Sequence, residues 1–242
     1  MPRRDMAAFW DRRARENAIF FVDNTLDYGV PDEQAFWDNG EAVLDAVLSA
    51  VGAHLRPTDR VVEIGCGVGR LTRPMASRAA SVTAVDVSKE MLLQAQHLNQ
   101  SLRNVTWVLG DGVSLAGIPD AEADACVSHV VFQHIPDPSI TLGYVREIGR
   151  VLRPGGWAAF QVSNDPGIHR RRLGVARVRL ALASAMGRAP RGQGNPAWRG
   201  AAVTLEALRE AVEAGHMDIE RLTGEGTQFC MVLTRRRTAP GR

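Results

Sequence analysis

No window of the chain approaches the roughly eighteen uninterrupted apolar residues that a membrane-crossing helix needs, so no transmembrane segment is expected. The basic start, Met1-Pro2-Arg3-Arg4-Asp5, has no apolar run behind it and does not read as a signal peptide. Cysteine is scarce: Cys66, Cys126 and Cys230 lack metal-ligand spacing, and a disulfide framework would need an even, closely patterned set. A reduced, cytoplasmic protein is the expectation. No one-sign charge excess is present either. The formal net charge is +2, too small to imply a nucleic-acid partner, and the basic clusters Arg170-Arg171-Arg172 and Arg235-Arg236-Arg237 are local. The second reads as a solvated tail after the last strand. What is there is ordinary for a globule: 242 residues, 45% hydrophobic and 23% charged, enough for one domain with additions and a full core.

The densest signal is Val61-Val62-Glu63-Ile64-Gly65-Cys66-Gly67-Val68-Gly69-Arg70. An apolar strand runs into an acid, then three alternate glycines, then a helix beginning near Leu71. Such a turn brings backbone within contact of a bulky ligand and aims free helix-start N–H groups at it. A second apolar strand, Ser81-Val82-Thr83-Ala84-Val85, ends in Asp86, where a carboxylate can accept hydrogen bonds from ribose hydroxyls. A dinucleotide fingerprint would read G-x-G-x-x-G; here the third glycine comes one residue early. Glu63 also disfavours a pyrophosphate and tolerates a ligand carrying ammonium and sulfonium charge.

Here the chain resembles the class I S-adenosylmethionine-dependent methyltransferases, whose first motif reads (D/E)-x-G-x-G-x-G. The strand Asn104 to Leu109 ends in Gly110-Asp111-Gly112; in that family an acid after this strand binds the adenine amine, and Asp111 matches. A fourth strand with its exit, Asp124 to Phe132, precedes Gln133-His134-Ile135-Pro136-Asp137, a sequence common in small-molecule members. A helix from Ser139 to Leu152 ends in Arg153-Pro154-Gly155-Gly156, the family's turn into the fifth strand, Trp157 to Val162. The resemblance covers about residues 58 to 163.

The resemblance implies a donor site with Glu63, Gly65, Gly67 and Gly69 at the amino-acid end. It further implies Asp86 at the ribose and Asp111 with Gly112 near adenine, with Cys66, Arg70, Val87, Met91 and Val113 also in the cofactor site and His129 touching either donor or acceptor. The cofactor is S-adenosyl-L-methionine, leaving S-adenosyl-L-homocysteine.

The strand–helix alternation predicts an α/β fold, a doubly wound and mostly parallel seven-stranded sheet. The last strands, His216 to Leu222 and Thr227 to Leu233, follow a helix over Leu205 to Ala214 and are antiparallel across a short turn. One antiparallel strand near the C-terminal end again matches the methyltransferases. Residues 1–56 form an N-terminal helical extension and residues 57–242 the core, with a cap-like insertion at 164–202. The extension holds half of the aromatics (Phe9, Trp10, Phe20, Phe21, Tyr28, Phe36 and Trp37). It reads as a helix near 5–16, an irregular aromatic stretch, and a helix from Asp32 to Leu55. The first part is either a lid over the ligands or simple packing onto the sheet. In the insertion, Val175, Val178, Leu182 and Met186 make one apolar helical stripe among six arginines. That helix either grips an anionic acceptor or a membrane surface, or docks on the core with its arginines in water.

Methyl transfer from a sulfonium needs nucleophile, methyl and sulfur held in line. A hydroxyl or amine acceptor must also lose a proton. His134 and His129, at the strand edge where ligands bind, are the catalytic candidates; His169 is weaker. His134 also suits a structural or cofactor-side role. The chain has no (N/D/S)-P-P-(Y/F) tetrapeptide after the fourth strand, no Pro-Cys nucleophile, and no His/Asp/Glu cluster suggesting a divalent metal. These absences point to a metal-independent enzyme acting at O or N of a small-molecule acceptor, in specialised natural-product metabolism. An RNA or protein methyltransferase, a non-catalytic binding module and an oxidoreductase are the alternatives. Monomer and homodimer both remain open.

Overall fold

The computed structural model describes residues 3–170 and 195–238. Two helices lead, α1 (Arg3–Val22) and α2 (Glu33–Val51). Strand β1 (Arg60–Ile64), helix α3 (Thr72–Arg78), β2 (Ser81–Asp86), α4 (Lys89–Leu98) and β3 (Val105–Leu109) follow. Then come β4 (Ala123–Ser128), α5 (Pro138–Val151), β5 (Leu152–Val162), α6 (Pro196–Arg199), α7 (Leu205–Ala214), β6 (Met217–Thr223) and β7 (Cys230–Arg236).

The strands form one sheet in the order β3-β2-β1-β4-β5-β7-β6. Strands β1 to β5 pair in parallel, while β7 runs antiparallel to both β5 and β6. This is the expected sheet with its single reversed strand. Strands buried on both faces are continuous apolar runs, as in Val61-Val62 of β1 and Ala158-Ala159-Phe160 of β5. On one face Leu44 and Leu48 of α2, Met75 of α3 and Leu92 of α4 pack against Val61, Val82 and Val127. On the other, Val145, Ile148 and Val151 of α5 and Leu208 and Val212 of α7 cover Val62, Cys126 and Phe160. Helix α5 begins where Asp137 accepts the Ser139 N–H at 2.9 Å and Pro138 presets the first turn.

Three expectations change. Helix α1 continues through Phe20 and Phe21, with a kink at Asn17 where φ is −169° and ψ 87°. The Asn17 side chain re-caps the chain there, accepting from Phe20 N–H at 3.0 Å and donating to the Tyr28 carbonyl at 2.8 Å. The second helix ends at Val51 because Gly52 takes a left-handed cap, φ 71°. The Arg235-Arg236-Arg237 run is no free tail: Arg235 and Arg236 belong to β7, Arg235 pairs with Glu220, and Arg237 with Asp218 at 2.8 Å. The apolar stripe over residues 175–186 lies outside the described residues. Among the described residues no helix is long and apolar enough to cross a membrane.

Candidate active site

The strand order reverses between β1 and β4, and at such a point an α/β sheet opens a crevice at its carboxyl edge. A cavity of about 470 Å³ lies there, within the usual range of small-molecule sites. Glu63, Gly65, Cys66, Gly67, Arg70, Asp86, Val87, Met91, Gly112, His129 and His134 all line it.

The loop after β1 is tied to β2 at three points. Gly65 and Cys66 donate their N–H groups to the Val85 carbonyl at 2.7 and 3.0 Å. Gly67 donates to Asp86 Oδ2 at 2.8 Å, and Asp86 Oδ1 takes the Ser88 N–H at 2.8 Å. Gly67 sits at φ +55°, and a Cβ there would meet Val22 Cγ2 at 2.7 Å. Helix α1 therefore covers the glycine loop at a distance only glycine permits.

The charges are concentrated on this side. Glu63 is buried, accepts from the Thr72 hydroxyl, and has its carboxyl pushed up to about 8 by burial, with Asp86 adding to the effect. Burial also raises the Asp86 carboxyl, against its backbone hydrogen bonds. Arg70 pairs with Asp23 of the segment after α1 at 2.9 Å. Arg70 Nε and His129 Nδ1 are buried with no hydrogen-bond partner among the described residues. Burial, with Arg70 nearby, lowers His129 to about 4.

These residues fit S-adenosylmethionine. Glu63 suits its ammonium and sulfonium, the orphaned Arg70 Nε its carboxylate, and Asp86 its ribose hydroxyls. Met6, Val87 and Gly112 form an apolar end of the cavity that adenine would fit. Among the described residues no group of three or more His, Cys, Asp or Glu side chains could hold a metal ion.

Gly69, Asp111 and Val113 do not line the cavity. A Cβ on Gly69 would face Asn99 and Trp107 behind the loop. The Asp111 carboxylate turns along its own chain, taking N–H groups of Val113 and Ser114 at 2.9 and 2.8 Å, and thereby sets the turn that presents Gly112. His169 is also elsewhere, bonded to the Arg199 carbonyl and to Ser163 Oγ at 2.7 Å.

The opposite wall is built by Trp10 and Phe21 of α1, Gln133, Trp198 of α6, Gln228 and Phe229. Of these, Trp10 and Phe21 lie in the aromatic extension and Gln133 in the 133–137 segment that the sequence singles out, whereas Trp198, Gln228 and Phe229 carry no such signal. The His134 ring lies 5.5 Å from Trp10 and 5.4 Å from Trp198, and its Nδ1 donates to the Trp198 carbonyl at 2.6 Å. Burial lowers His134 to about 4, so the ring is neutral. Behind it Gln161, fully buried in β5, accepts the Val130 N–H at 2.7 Å and donates to Gln133 Oε1 at 2.8 Å and to the Gln228 carbonyl. Val130 is β-branched yet left-handed at φ +57°, a strained conformation that this bond holds. The signal available for Gln161 was one amide in an otherwise apolar strand, which must find partners when buried.

Residues 62–160 match the family model described as a methyltransferase domain. A ubiquinone biosynthesis O-methyltransferase of Thiobacillus denitrificans is 32% identical over 106 residues, 43% of this chain and 44% of that protein. The chain thus spans under half the length of this curated relative. A phosphoethanolamine N-methyltransferase of Haemonchus contortus, solved with phosphoethanolamine and S-adenosylhomocysteine, superposes with a TM-score of 0.69 at 17% identity, over 99% of this chain and 50% of that one. An S-adenosylmethionine-dependent methyltransferase from Mesorhizobium loti gives 0.58 at 21%, over 81% and 96%. At these identities the two structures show the shared fold. Residues 62–160 thus match a methyltransferase domain, and the sheet has the fold of the S-adenosylmethionine-dependent methyltransferases it superposes on.

Proposed function

We propose that the protein transfers a methyl group from S-adenosylmethionine to an oxygen or nitrogen of a small molecule, by in-line displacement without a metal, in specialised natural-product metabolism. The observation that carries this reading is one cavity in which Glu63, Arg70, Asp86 and the Gly65–Gly67 turn meet an uncharged aromatic wall. The bound donor supplies an electrophilic methyl on a sulfonium that leaves as a neutral thioether. Glu63 and Arg70 hold its two charged ends, Asp86 and the glycine turn fix its ribose, and the opposite wall places the acceptor in line. Helix α1 acts as a lid: Val22 covers Gly67, and Met6, Trp10 and Phe21 line the cavity, excluding water from the reacting groups. Of the 164–202 insertion, Trp198 reaches the cavity, and residues 171–194 lie outside the described residues.

The test is incubation with methyl-labelled S-adenosylmethionine and a panel of hydroxylated and aminated small molecules. Label in a small-molecule product supports the reading. Label only in added RNA or protein would assign a macromolecular acceptor, and tight donor binding without transfer to anything would leave a binding module.

A further inference from the structure

We propose that Gln133 and His134 form the acceptor subsite and take the hydroxyl group of an uncharged aromatic compound, whose ring lies against Trp10, Phe21 and Trp198. This rests on the methyltransferase reading above and narrows it to oxygen.

Three backbone groups fix which polar atoms face that subsite. The Val130 N–H can only donate, so the Gln161 atom 2.7 Å away is its oxygen. The Gln228 carbonyl can only accept, so the other end of Gln161 is its NH2. That NH2 also donates to Gln133 Oε1 at 2.8 Å, which leaves the Gln133 NH2 as the outward group. The Trp198 carbonyl takes the Nδ1 proton of His134, so Nε2 carries a lone pair. The Gln133 NH2 donates to His134 Nε2 at 3.3 Å, a long hydrogen bond that an incoming hydroxyl replaces by inserting between the two groups and bonding to both. The wall thus presents one fixed donor and one fixed acceptor.

A hydroxyl matches that pair and an amine does not. The hydroxyl donates its proton to His134 Nε2 and accepts from Gln133 through one oxygen lone pair. The second oxygen lone pair remains for attack. An amine nitrogen has a single lone pair, and accepting from Gln133 would occupy the pair that must form the new bond. In the step itself the C–O bond forms as the donor's C–S bond breaks, with its electron pair passing to sulfur. The hydroxyl proton goes to His134 Nε2 and on to water. A weakly basic imidazole suffices, because the oxygen becomes a strong acid as it is alkylated.

The ring and the absence of charge follow from the same wall. Trp10, Phe21 and Trp198 pack edge-on or tilted at centroid distances of 5.6 to 6.2 Å, and Phe229 is half-exposed at the cavity. Among the described lining residues of this wall none is charged. The nearby guanidinium of Arg199 turns to the His169 carbonyl at 3.1 Å and does not line the cavity. Among the described residues of this wall, none would offer a cation to an acceptor phosphate or carboxylate. Gln161 acts through Gln133 and is a positioning residue.

The experiment is equilibrium binding of naphthol, naphthylamine and naphthoate to the whole protein saturated with S-adenosylhomocysteine, read by quenching of tryptophan fluorescence. Naphthol should bind about tenfold more tightly than either analogue. Gln133→Leu should erase the preference for naphthol over naphthylamine and leave S-adenosylhomocysteine affinity within about twofold. Gln161→Met cannot donate to Gln133, so it should erase that preference in a folded protein; a purely structural Gln161 would leave it intact. Equal binding of naphthol and naphthylamine by the wild type, or an undiminished preference in Gln133→Leu, would overturn the proposal. If S-adenosylhomocysteine itself does not bind, the methyltransferase reading fails and the subsite falls with it.

Discussion

Asp23, the residue after α1, and Arg70, the residue after the glycine loop, meet at 2.9 Å with side chains 5% and 9% exposed. The pair fastens the N-terminal extension to the floor of the site. Burial alone would raise the Asp23 carboxyl, but the Thr25 hydroxyl and Arg70 hold it below its usual value. Removing the carboxylate leaves a guanidinium buried and unpaired. Asp23→Ala should therefore lose about 3–5 kcal/mol of stability in urea unfolding, and Arg70→Met in the same background should recover part of it. Because the folded value is depressed, this contribution is present above about pH 4 and lost as pH falls through the folded value. A loss under about 1 kcal/mol would mean that the pair is effectively solvated.

Glu63 gives the opposite slope. Its carboxyl stands at about 8, against 4.5 when unfolded, chiefly because it is buried. A raised value means stability that is full below pH 4.5 and lost as pH rises through 8. Ligand-free Glu63→Gln should thus melt higher than the wild type at pH 8, with the gap closing toward pH 5. A cationic ligand should also ionise Glu63, so donor binding at pH 7 should release up to about one proton, seen by calorimetry in two buffers of different ionisation heat. Proton-neutral binding would separate Glu63 from the ligand's charges.

Asp86 takes the backbone N–H groups of Gly67, Ser88 and Val87, and its carboxylate keeps acceptor capacity for a ribose hydroxyl. Asp86→Ala should weaken S-adenosylmethionine binding by about 1.5–3 kcal/mol, the size of charged hydrogen bonds lost. Wild-type affinity in that variant would contradict the ribose assignment.

Gly67→Ala should cost about 1–2 kcal/mol for its left-handed backbone and further energy for the contact with Val22. Val22→Ala removes the methyl that blocks the new Cβ. The double variant should be more stable than the sum of the single changes allows, and Gly67→Ala alone should speed amide exchange along α1. Strict additivity would show that α1 does not rest on the loop.

The parts of the site that were legible in the sequence are local. The β1–glycine-loop–α3 unit and Asp86 are each fixed within a few residues by strand pattern, turn chemistry and cap, and Glu63, Gly65 and Gly67 line one cavity. The mostly parallel sheet with one reversed strand followed from strand–helix alternation and one short turn before β7, while the strand order comes from the structure. What was not legible depends on distant segments. Trp10, Trp198 and Gln133 meet only because α1 and α6 converge on the exit of β4, and no spacing encodes that. Asp111 stands after β3 as the pattern predicts, and its carboxylate takes two N–H groups of its own turn, a local bond that strand and motif spacing do not encode. Phe20 and Phe21 broke the helical pattern for the same reason, since they pack against Tyr28 and Trp198 after the Asn17 kink.

The central claim is tested most directly by calorimetric titration of the purified protein with S-adenosylmethionine, S-adenosylhomocysteine and NAD in parallel. Micromolar binding of both sulfur nucleosides and none of NAD is the predicted result. Binding of NAD alone would contradict it.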